Sequence, residues 1–162
     1  MDYQSIRHLC ENRQRLNTLI ETKRNRYNLL LKRSRTLKQQ IQHIDEQLIT
    51  NINTHPVPSP SASSQQNAAK IFQETLRQQW KKKQQLLHIE TTMATHAKSI
   101  ERIEVLVEET TNTLRAYKRQ VVNREAIDIQ LLLQLNQLEI KLLLTLESYN
   151  IDGNVFEVTR LI

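Results

Sequence analysis

Every proline of the chain, Pro56, Pro58 and Pro60, stands in one short stretch, and the single glycine, Gly153, lies near the end. Proline lacks an amide donor and glycine frees the backbone, so these residues punctuate helices and shape the turns of sheets. Their confinement leaves two long uninterrupted segments, which excludes sheet folds and predicts an all-α chain. The abundance of Gln, Leu, Lys, Arg, Glu and Thr agrees with long exposed helices.

Apolar spacing says what kind of helix. From Ile6 the first segment steps by three and four through Leu9, Arg13, Leu16, Ile20, Lys23, Tyr27, Leu30, Ser34, Leu37, Ile41, Ile44 and Leu48. A seam repeating every 3.5 residues keeps one narrow stripe turned toward a partner helix. In the second segment, steps of seven from Phe72 pass through Gln79, Leu86, Met93, Ile100, Val107, Leu114, Val121, Asp128, Leu135, Leu142 and Tyr149. The companion stripe, with Ile89, His96, Ile103, Thr110 and Arg124 among its members, is more polar, so breaks or register changes are expected.

These spacings predict two long coiled-coil helices joined by a Pro/Ser-rich linker, in an elongated arrangement. Residues 1–53 form a basic heptad helix, 54–66 a flexible linker, 67–149 a long helix with a leucine-rich end, and 150–162 a short apolar tail after a stop at Asp152 and Gly153. A second helix of that length reaches on the order of 125 Å at 1.5 Å per residue, more than the first can cover. Partner helices in other chains are therefore expected. Ile6, Leu9, Leu16, Ile20, Leu30, Leu37, Ile41, Leu86, Met93, Ile100, Val107, Leu114, Val121, Leu135 and Leu142 are the expected seam. Between Ala126 and Leu146 the pattern is apolar on more than one face, which suits a bundle of three or more helices.

Charge adds a second constraint. The chain carries a net +6, and Arg13, Arg15, Lys23, Arg24, Arg26, Lys32, Arg33, Arg35 and Lys38 make a basic stretch against the single acid Glu21. Such a stretch draws acidic protein surfaces or nucleic acid, but the heptads run straight through it and no groove-reading fold accompanies it, which favours protein partners. Arg13, Lys23 and Ser34 on the seam point to a hetero-oligomer, since a like charge facing its own copy destabilises a homodimer.

Catalytic motifs are missing. A glycine-rich phosphate loop and a Gly-x-Ser-x-Gly elbow both need more glycine than the chain has. His8 with Cys10 and His88 with His96 lack metal-ligand spacing, and carboxylate pairs such as Glu101 with Glu104 sit on an exposed helix face. No enzyme activity, cofactor or metal is expected. The lone Cys10 and the lack of a leader pattern imply a reducing compartment, and Gln134, Asn136, Gln137, Glu139 and Lys141 interrupt the most apolar run, excluding a membrane span.

Taken whole, a basic heptad helix, the linker VPSPSASS and a long helix ending LLLQLNQLEIKLLLTL resemble a small coiled-coil subunit of the augmin complex. The resemblance implies a structural subunit on the mitotic spindle or centrosome that helps recruit γ-tubulin complexes to existing microtubules. A second likeness is to the BAG domain, a co-chaperone module that contacts Hsp70. SIERIEVLVEETTNTL followed by LLLTLESYNIDGN is similar to its first two helices and the turn after them, with Gln137 and Glu147 where that pattern has Glu and Asp. In either setting, aspartates at Val107 and Leu114 are expected to release the chain from its complex.

Overall fold

A computed structural model describes residues 2–54 and 62–161, with side chains described over 2–51 and 66–149. The described residues form three α-helices: α1 (Tyr3–Thr54), α2 (Ala62–Val122) and α3 (Ile129–Leu161). The described residues contain no strand. The fold class is all-α, with helices of 52, 61 and 33 residues.

The expected second helix is two helices, and the local chemistry shows why. At the end of α2, Arg124 takes the left-handed conformation with φ 55°. Its amide donates to the Val121 carbonyl at 3.2 Å, and the Glu125 amide donates to the Gln120 carbonyl at 3.0 Å. This pair of reversed bonds is a Schellman ending, which satisfies carbonyls that a terminating helix leaves open. Four residues on, Asp128 starts the next helix. Its carboxylate accepts the Gln130 amide at 3.1 Å in an N-cap, while its own amide donates to the Gln120 side chain at 3.2 Å. Asp128 is one of the two polar residues, with Gln79, that interrupt the heptad stripe.

Other boundaries also differ from expectation. Helix α2 reaches back to Ala62, so the proline-free end of the anticipated linker is helical; residues 55–61 lie outside the described residues. Helix α3 runs through Gly153, where a stop was expected. One glycine inside a helix costs only about 1 kcal/mol relative to alanine and does not by itself end it. Side chains of the anticipated tail lie outside those described.

The chain divides into two compact units, Met1–Arg24 with Lys98–Ile162, and Asn25–Ala97. The first is a three-helix bundle of the start of α1, the end of α2, and α3. Leu9, Leu16 and Ile20 of α1, Ile103 of α2, and Leu131, Leu135, Leu138 and Leu142 of α3 form its buried core. Removing each of these side chains from water contributes roughly 2 kcal/mol. Thr110 is fully buried among them, its hydroxyl donating to the Leu106 carbonyl at 2.7 Å.

The second unit is a two-helix hairpin of the end of α1 and the start of α2. Its packed cluster is smaller, with Leu37, Ile89 and Met93 buried and Tyr27, Leu30, Leu31 and Leu86 against them. Lys38 meets Glu90 at 3.4 Å, and the Gln79 amide donates to Asp45. Lys82 donates to Gln40 at 2.8 Å. Rising numbers on α1 meet falling numbers on α2, so the helices run antiparallel.

Candidate partner-binding surfaces

The stripes that sequence periodicity assigns to partner helices face mainly this chain's own helices. Leu9, Leu16, Ile20, Leu135 and Leu142 are buried in the bundle core, and Ile6, Ile100, Val107 and Leu114 pack against it half-buried. In the hairpin, Leu37, Ile41 and Met93 are buried, with Leu30 and Leu86 half-buried beside that cluster. Val121 is the exception at 49% exposed. The reason is topological: α1 and α2 pair antiparallel, and α3 folds onto them in the bundle, which gives each stripe a facing helix.

The same pairing answers the polar seam residues. Arg13 donates to the Thr111 hydroxyl at 3.4 Å, Lys23 lies 4.5 Å from the centre of the Tyr149 ring, and Ser34 is buried. These residues therefore do not require a second chain, because this chain already packs against them. The nine basic residues divide between the two units. Arg13, Arg15, Lys23 and Arg24 belong to the bundle, where Arg24 pairs with Glu104. Arg26, Lys32, Arg33, Arg35 and Lys38 belong to the hairpin, where Lys38 pairs with Glu90.

Helix α3 carries a surface that the seam reading did not single out. Its core stripe, Leu131, Leu135, Leu138 and Leu142, recurs by four, three and four. A second stripe, Ile129, Leu133, Ile140 and Leu144, recurs by four, seven and four. At 100° per residue the centres of the two stripes lie about 180° apart, on opposite sides of the helix. The outer one is open: Ile129 is 74% exposed, Leu133 56%, Ile140 59% and Leu144 60%, with Leu143 beside them. Scattered exposed apolar residues are ordinary on a protein surface, whereas these form a periodic row on one helix face. The signal was present in the breadth of apolar character from Ala126 to Leu146.

Among the described residues, no group of three or more His, Cys, Asp or Glu side chains could hold a metal ion. Cys10 is half-buried at a groove in the bundle beside Ile6, Arg13 and Leu114. No helix, over the described residues, is long and apolar enough to cross a membrane. No protein-family model, curated protein or solved structure matches the chain.

Proposed function

We propose that the protein is a non-catalytic scaffold subunit that binds helices of other chains through the outer face of α3. The observation that carries this reading is the open row Ile129, Leu133, Ile140 and Leu144, set opposite a fully used core stripe on the same helix. A helix that is apolar on two faces is stable in water only when both are covered. A partner helix with a complementary stripe covers the second face at the spacing that knobs-into-holes packing requires.

Within this proposal, the assembly is a hetero-oligomeric coiled-coil complex of augmin type in the cytoplasm. There the subunit would support microtubule-dependent nucleation at the spindle during cell division. That finer assignment rests on the layout of the sequence, namely its basic heptad helix, its short Pro/Ser stretch and its leucine-rich end.

The connection at residues 123–128 favours a second reading, because it separates two helices within the stretch that resembles the BAG module, although α3 continues through residues 150–154, where that module turns. In that reading the chain is a co-chaperone and its partner is Hsp70.

Affinity purification of the tagged chain with mass spectrometry tests both. Coiled-coil proteins and tubulin-linked proteins are the expected recovery, whereas Hsp70 at equal stoichiometry supports the second reading. Recovery sensitive to nuclease would assign the chain to nucleic acid instead. Glutamates at Leu133, Ile140 and Leu144 should abolish recovery while leaving the melting temperature unchanged, since all three side chains are exposed. Undiminished recovery with that triple variant would remove α3 from the interface.

A further inference from the structure

The net charge of the chain resides in one of its two units. The hairpin, Asn25–Ala97, holds 10 Lys and Arg against 4 Asp and Glu, a net of +6 that equals the charge of the whole chain. The bundle is balanced, with 13 of each. Every acid of the hairpin is already engaged inside it. Glu74 pairs with Arg77 at 3.3 Å and Glu90 with Lys38 at 3.4 Å. Asp45 accepts the Gln79 amide, and Glu46 accepts the Gln42 amide at 3.4 Å. Lys32, Arg33, Arg35, Lys81 and Lys83 have no carboxylate within ion-pair distance among the described residues.

An apolar row accompanies this charge. Leu76, Trp80, Lys83 and Leu87 of α2 recur by four, three and four, which is the spacing of a coiled-coil seam. The row is distinct from the one that packs on α1, where Ile89 and Met93 are buried. Leu76 is 39% exposed, Trp80 62% and Leu87 59%. It lies on the side of the hairpin marked by the Lys38–Glu90 and Gln79–Asp45 contacts. Arg35 lies one turn before Lys38 on α1 and is exposed.

We infer that this side of the hairpin binds an acidic amphipathic helix of another protein, with apolar residues seated around Trp80 and carboxylates on Lys83 and Arg35. The hairpin of a second copy does not fit, because it would set one +6 surface against another. A nucleic-acid backbone would use the cations and leave Leu76 and Leu87 uncovered. A lipid surface would have to accept Lys83 in the middle of a row only three apolar side chains long. A helix with acids flanking its own seam answers both the spacing and the charge.

Trp80 is the chain's only tryptophan, so its fluorescence reports this surface in the full-length protein. The probe is a synthetic three-heptad helical peptide with Leu at its seam positions and Glu beside them. Its counterparts are the same peptide with Lys for Glu, an RNA duplex, and vesicles of anionic phospholipid.

The acidic peptide is expected to shift Trp80 emission to the blue, with an affinity that falls as salt rises. Lys83→Glu should weaken it about tenfold or more, as charge reversal at an interface does, and Leu87→Asp should abolish it. Circular dichroism checks that both variants, at exposed positions, keep the helical content. The α3 triple variant should bind the peptide normally, which separates this site from the proposed α3 interface. A blue shift with the duplex or the vesicles but not the acidic peptide would overturn the inference. So would acidic-peptide binding that Lys83→Glu leaves unchanged, or no response to the acidic peptide at all.

Discussion

Arg124 holds a conformation that suits glycine, with φ 55° at the end of α2. A side chain bearing Cβ is disfavoured there by about 1–2 kcal/mol. Arg124→Gly should therefore stabilise the protein by about 1 kcal/mol, visible as a melting point higher by roughly 2–4 °C; a lower melting point would contradict the Schellman ending. Asp2 gives a residue-scale effect of pH. Its carboxylate accepts the Ser5 amide at 2.9 Å, and that bond is the main reason its pKa lies below the ordinary 3.8. A depressed folded pKa means that the contribution is complete above the unfolded value and is lost as pH falls through the folded one. The Ser5 amide resonance should titrate with a midpoint below 3.8. A midpoint at or above that value would show that the cap does not form.

At the scale of the element, α3 separates packing from recognition. Leu138 is 2% exposed on the core stripe and Leu133 56% on the outer one. Leu138→Ala removes the side chain from a filled core and should lower stability by about 2–5 kcal/mol. Leu133→Ala should change it by no more than about 0.5 kcal/mol. Denaturant unfolding of the two variants makes the comparison, and equal effects would mean that the two faces are not distinct. The two-faced character of α3 was legible in the apolar run from Ala126 to Leu146. Its starting point was harder to see, because stepping by sevens passes across Asp128. The cue is local: an aspartate before an apolar run is an N-cap signature, and capping competes with continuation only where the chain can fold back onto something.

For the molecule as a whole, the difference concerns which helix faces which stripe. Val107 and Leu114 pack against the bundle's own core, so paired aspartates there would do more than detach a partner. The double variant should lose on the order of 3 kcal/mol or more of stability, read as reduced helical signal and an earlier unfolding transition. A variant as stable as the parent would return these residues to the role of partner seam. Segregation of charge also belongs to this scale. The excess of cations before Lys38 is plain in the sequence, but a hairpin of net +6 exists only because α1 and α2 pair antiparallel and bring Lys81, Lys82 and Lys83 into the same unit as Arg33 and Arg35.

Helical class, the two apolar stripes of α3 and the surplus of positive charge were determined by the sequence alone, because each depends on spacing or composition within one segment. Only the tertiary structure decided which stripes the chain covers for itself. A leucine at a seam position specifies that a helix must face it, through burial of its side chain, but carries nothing that distinguishes a helix of the same chain from a helix of another. The reverse turn at Arg124 and the antiparallel pairing of α1 with α2 make that choice. They bury Leu9, Leu16, Leu135 and Leu142 within the chain while leaving Leu133, Ile140 and Trp80 open to water.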